Sequence, residues 1–157
     1  MTALTNEVRA RRPKAHELLM QELHAEGLFS TFRDLLIFAA AVGFQQRRRV
    51  PFAASAGDPI RYEVLTGPGF SDTLISMIAA NVVSDDPEIL DETRIEERVR
   101  IFEEYASGGL EYIQEQVNVR HQPAALVAID LVTEAFEQDS GAIAVSVEDL
   151  LSGVTWT

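Results

Sequence analysis

The stretch from Phe29 to Phe52, FSTFRDLLIFAAAVGFQQRRRVPF, joins a nearly all-apolar helical run to three consecutive arginines and a proline. Ser30 or Thr31 supplies a side-chain cap for the first turn. Asp34 sits near the positive end of the helix dipole, and Arg47, Arg48 and Arg49 sit near or just past the negative end. Phe32, Leu35, Leu36, Ile37, Phe38, Ala39, Ala40, Ala41, Val42 and Phe44 leave almost no polar face. A helix of that kind has to be surrounded by other elements. The sequence therefore predicts a central helix over 32–46 with guanidinium groups at its tip.

The flanking segments supply the surround. Residues 1–12, ending in Arg11 and Arg12, read as a flexible basic arm, and 13–157 as a single helical domain. Pro13 suits the first turn of an amphipathic helix running to about Ala25, where Ala15, Leu18, Leu19, Met20 and Leu23 recur at helical spacing and Gly27 closes it. Val50 to Gly57 reads as a loop, and residues 60–65 fit a short helix or an edge strand equally well. Ser71 and Asp72 are expected to cap a helix from Asp72 to about Val83. Asp86-Pro87-Glu88 opens a short turn, and Glu92 to about Ser107 forms a helix with Ile95, Val99, Phe102 and Ala106 inside. Its surface arginines and glutamates are spaced for ion pairs three or four residues apart. Gly108-Gly109 is expected to break that helix before Leu110, Ile113 and Val117 resume the pattern. Gln122-Pro123 opens another with Leu126, Ile129, Val132 and Phe136 on one face, and Ser146 is expected to cap a short helix near the end of the chain. The fold class is all-α, a compact bundle of about six to seven helices around the 32–46 helix, with room for one short extended segment near 60–65.

Charge narrows the function classes. The net charge is −12, but residues 1–49 hold eight basic residues against five acids, whereas 50–157 hold five against twenty. Such an acidic chain repels a nucleic-acid backbone as a whole, yet its N-terminal third has room for a local basic patch. With no cysteine, thiol redox chemistry and thiolate metal sites are excluded. The longest apolar run, Leu35 to Phe44, is about half of what a bilayer requires. A soluble, cytoplasmic protein is expected.

Candidate chemistry is sparse. His16-Glu17-Leu18-Leu19-Met20 misses a zinc-protease pattern because Met20 stands where the second histidine belongs. Asp85, Asp86 and Glu88 resemble a magnesium cluster, but the only lysine, Lys14, is remote in sequence, and helix starts recruit the same acids. His121 has no accompanying nucleophile motif. No catalytic residue, metal ligand or cofactor is assigned. The binding candidates are Arg47, Arg48 and Arg49, with Arg11, Arg12 and Lys14 in second place. Three consecutive residues at a helix end fan out over about 200° of arc, so at least one should be free for a phosphate or a partner carboxylate.

Four stretches resemble the dnd system-associated protein 4 family, small proteins encoded beside DNA phosphorothioation systems. They are RRPKAHELL at 11–19, FSTFRDLLIFAAAVGF followed by RRRVPF, DPIRYEVL, and IFEEYASGGLEYIQE at 101–115. The resemblance implies an accessory role in a restriction-modification type of antiviral defence that depends on sulfur in the DNA backbone, and it carries no catalytic residues. Together with the charge pattern it suggests a non-enzymatic adaptor whose partners are protein subunits of a modification or restriction complex. The alternative is a DNA-binding or regulatory module contacting phosphates through the arginine cluster. No membrane partner is expected, and a homo-oligomer is compatible with either reading.

Overall fold

The computed structural model of the chain describes the backbone of residues 8–152 and the side chains of residues 8–138. In chain order the elements are β1 (Arg9–Pro13), α1 (Glu17–Ala25), α2 (Phe32–Gln45), β2 (Ser55–Arg61), α3 (Tyr62–Leu65), α4 (Gly69–Val82), α5 (Ile95–Arg120) and α6 (Ala124–Ser152). Short 3-10 turns occupy Lys14–His16, Pro87–Leu90 and Glu92–Arg94. The fold is thus mostly helical, with one small antiparallel sheet.

The apolar helix is central, as its composition requires. Thr31 is extended, and its hydroxyl accepts the Asp34 N–H at 3.2 Å, so Thr31 is the cap. Leu35, Leu36, Ala39 and Ala40 are each no more than 1% exposed. After Gln45 the chain turns sharply. The Arg48 N–H donates to the Gly43 carbonyl at 2.8 Å and the Arg47 N–H to that of Phe44 at 3.2 Å, with Arg47 left-handed at φ 57°. This is the Schellman closure of a helix end, with arginine at the position glycine usually fills.

The helix break expected at Gly108-Gly109 does not occur; α5 runs unbroken through both residues. The glycines serve packing instead. A Cβ on Gly109 would lie 1.8 Å from the Ala39 carbonyl oxygen, one on Gly108 2.0 Å from that of Arg48, and one on Gly43 2.0 Å from that of Tyr105. Helices α2 and α5 therefore meet backbone to backbone. The contact this permits offsets the roughly 1 kcal/mol of helix propensity that each glycine gives up.

The arm expected over residues 1–12 is corrected at its second half. Arg9–Pro13 is a strand paired antiparallel with β2, in the register Arg9 with Arg61, Ala10 with Ile60, Arg12 with Ala56 and Pro13 with Ser55. Ala10, Arg12 and Pro13 are buried, and the Arg11 N–H donates to the Glu103 carboxylate of α5 at 2.5 Å. Pairing on one edge and a carboxylate on α5 hold this segment, which its basic composition alone does not reveal. Residues 1–7 lie outside the described residues. Pro13 ends the strand and precedes a 3-10 turn rather than opening α1. The ambiguous 60–65 segment is both things in succession, the end of β2 and then the single turn α3.

Three smaller expectations change. Helix α4 begins at Gly69 after Pro68, which leaves Ser71 buried inside the first turn while Asp72 accepts the Tyr62 hydroxyl at 2.9 Å. Arg98, expected to pair on the surface, is 6% exposed and donates to the carbonyls of Ile89 and Asp91, both at 2.7 Å. It ties the two 3-10 turns to α5. The separate helix expected from Val147 is part of the continuous run of α6, in which Ser146 is interior. Among the described residues no helix is long and apolar enough to cross a membrane.

Candidate functional site

The tip of α2 carries the leading candidates, and the structure separates them. Arg48 bonds to Glu115 and, at 3.3 Å, to Glu111 of α5, with its guanidinium 5.1 Å from the centre of the Tyr112 ring. Arg49 reaches Glu104 at 2.8 Å and 3.0 Å through two nitrogens. Both are therefore drawn onto the acidic face of α5. Arg47 is exposed and has no ion pair among the described residues. Among the described residues one of the three has no ion pair, where the fan leads one to expect at least one.

The second set is also divided. Arg11 pairs with Glu103 at 3.1 Å and lies 4.8 Å from the centre of the Phe52 ring. Glu103 is 4% exposed, so this carboxylate depends on Arg11 for compensation. Arg12 is 7% exposed and stacks 3.9 Å over the Phe32 ring, against Gly57, whose missing Cβ makes the space for its guanidinium. A buried cation without a carboxylate partner gains from such a ring face. Lys14 remains exposed; its backbone N–H donates to the Ala54 carbonyl at 3.0 Å and its carbonyl accepts the Glu17 N–H. The six basic candidates thus do not converge on one patch.

The remaining candidates are structural. Asp86 caps the Pro87–Leu90 turn and pairs with Arg94, whose hydrogen bond holds its carboxyl below the usual range. His16 is half-buried, and burial lowers its pKa against a smaller opposing effect of Glu111. Among the described residues no three His, Asp or Glu side chains stand together as a metal-binding group.

Two depressions stand out among the described residues. A cleft of about 570 Å³ lies between β1 and α5, walled by Val8, Arg9, Glu96 and Val99, with the Arg11–Glu103 pair in its lining. Its charges are mixed and largely matched. A groove of about 260 Å³ lies between the C-terminal half of α2 and α6, lined by Phe38, Val42, Gln45, Leu131, Val132 and Phe136. Beside it Leu126, Ile129, Val132 and Phe136 are 49%, 47%, 39% and 69% exposed. The face of α6 that packs inward carries instead Ala124, Val127 and Ala128, each at most 1% exposed.

The family model for DNA sulphur modification system-associated protein 4 matches residues 9–148. The chain belongs to that family. No curated protein and no solved structure matches it. The match begins at β1 and extends into α6, well beyond the last stretch, 101–115, that carried the resemblance. The family's name links its members to a DNA sulphur modification system, in agreement with the sequence expectation at that level.

For a member of this family the informative surface is a face whose side the sequence leaves open. Leu126, Ile129, Val132 and Phe136 share a face, as their spacing requires, but it is the outer face. The signal was present in the second apolar set, Ala124, Val127, Ala128 and Leu131, which gives this helix two greasy sides. Small residues allow the closer approach, so the small-residue side is the one that packs.

Proposed function

We propose that the chain is a non-enzymatic adaptor of a DNA sulphur modification system, one that works in the cytoplasm by binding protein subunits of a modification or restriction complex in antiviral defence. One observation carries this reading: the arginines that would grip a phosphate backbone are occupied within the molecule. Arg11, Arg48 and Arg49 are paired with Glu103, Glu111, Glu115 and Glu104, and Arg12 is buried over Phe32. Binding DNA through them would break internal pairs in a protein of net charge −12, and phosphate contacts are the main source of non-specific affinity for DNA. Arg47, exposed and without an ion pair among the described residues, favours the competing reading of a DNA-contacting or regulatory module.

Titration with duplex DNA over a salt series, beside co-purification of tagged protein from cells carrying the whole gene neighbourhood, separates the two. The adaptor predicts no shift of DNA even at low salt and recovery of a modification or restriction subunit. A DNA module predicts binding whose logarithm falls with a slope of about 0.9 per neutralised phosphate, reduced by Arg47→Ala. Such a slope, with no subunit recovered, would defeat the adaptor.

A further inference from the structure

We infer that the outer face of α6, with the groove it shares with α2, is a docking site for a basic amphipathic helix of another protein. The inference deepens the adaptor reading and rests on it. Leu126, Ile129, Val132 and Phe136 follow one another at steps of three, three and four residues, the spacing by which one helix presents anchors to another. All four are substantially exposed, and the largest, Phe136, is the most exposed of them. The stripe borders a concave surface, because Phe38 and Val42 of α2 wall the groove on its other side. Contiguous apolar surface of this kind on a polar-rimmed face marks an interaction site.

Charge selects the occupant. Ala124–Ser152 contains six acids and neither lysine nor arginine. Asp130, Glu134 and Glu137 lie along one flank of the stripe by helical spacing. Arg120 reaches Glu134 at 2.9 Å and Asp130 at 3.7 Å, whereas Glu137 has no ion pair among the described residues. A helix laid on the stripe with lysine or arginine beside its apolar positions would meet these carboxylates favourably, as flanking charges do in paired helices. A second copy would bring acids against acids, and an anionic lipid surface would be repelled by the same flank. The chemistry that fits is a cationic helix with an apolar stripe.

The test uses the full chain and two fluorescent synthetic helices with the same leucine stripe, one flanked by lysine and one by glutamate. Fluorescence anisotropy should show the lysine-flanked helix binding, with affinity falling as salt rises, and the glutamate-flanked helix binding roughly tenfold or more weakly. Ile129→Gln with Phe136→Gln should weaken the lysine-flanked helix by about tenfold or more, since both anchors are removed without a change of charge. Glu137→Lys should weaken it several-fold. Circular dichroism of each variant should match the parent. Equal binding of both helices, no binding of the lysine-flanked one, or indifference to the double substitution would overturn the inference. So would a dimer by sedimentation that the double substitution dissolves, because the occupant would then be a second copy. Co-purification distinguishes the two levels: a subunit captured equally by parent and double variant leaves the adaptor standing and removes this site. Failure of the parent to capture any subunit, with the synthetic helices behaving as expected, removes the adaptor and leaves the surface.

Discussion

Helices α2 and α6 are both rich in apolar residues, and they are used in opposite ways. Helix α2 buries large and small residues together, and at Gly43 its backbone meets that of α5. Helix α6 buries its small residues and turns Leu126, Ile129 and Phe136 outward. Hydrophobicity alone thus does not locate the core of this molecule. Close approach does, and it depends on side chains that are missing: the seam between α2 and α5 is set by glycines, while the seam of α6 is set by alanines and one valine. The apolar area left over on α6 is available to another molecule, whereas what α2 leaves uncovered, at Phe38 and Val42, is the opposite wall of the same groove.

The sharpest way to break this contrast is to put one methyl group into the tight seam. Gly109→Ala places a Cβ where the Ala39 carbonyl oxygen stands, and neither backbone can yield without moving a helix. Destabilisation of about 3 kcal/mol or more is expected. Thermal unfolding should show it as a midpoint lower by roughly 6–12 °C, and an unchanged midpoint would mean that the helices stand further apart than described. Next in size is Arg98→Met, which keeps the aliphatic length but removes the donor to the Ile89 and Asp91 carbonyls. Leaving both acceptors short of a partner should cost about 2 kcal/mol, measurable by urea unfolding. Equal stability would show that water replaces the guanidinium there.

How much of this was legible follows from what each feature depends on. The central helix was, down to Asp34 and a cap at Ser30 or Thr31, because a run of ten apolar residues and a hydroxyl are local facts; only the structure chooses Thr31. The continuity of α5 was not: a Gly-Gly pair costs helix propensity, and only the approach of Ala39 and Arg48 shows why the pair is tolerated. Residues Arg9–Pro13 hide for a similar reason, since their partners, β2 and Glu103, are more than forty residues away. At the candidate site the fan of Arg47, Arg48 and Arg49 predicted that at least one would remain free, but which depended on where Glu104, Glu111 and Glu115 fell along α5. The stripe of α6 was seen as a face but not assigned to core or solvent, because period alone does not say which of two apolar faces is covered.

A smaller effect sharpens the comparison from the solvent side of α5. Burial lowers the pKa of His16 below its ordinary 6.5, with Glu111 acting in the opposite direction. A histidine whose folded pKa is depressed binds fewer protons folded than unfolded in the interval between the two values. Stability should therefore decline as pH falls below about 6.5 and level off below the folded value. His16→Asn should flatten that part of the profile in urea unfolding at pH 7 and pH 5. If the parent and the variant lose the same stability over this range, His16 is not the group responsible.

The smallest expected effect is also the most telling against the largest. Ile129→Gln with Phe136→Gln removes two large apolar side chains, but 47% and 69% exposed side chains leave little buried area to lose. Glutamine has good helix propensity, so the intrinsic change at both positions is neutral or slightly favourable. The midpoint of unfolding should move by no more than about 0.5 kcal/mol in stability, set against a single methyl at Gly109 that should cost several times as much. If the double variant instead unfolds much earlier, the stripe is part of the core, α6 lies more deeply on α2 than described, and the groove has no room for a partner.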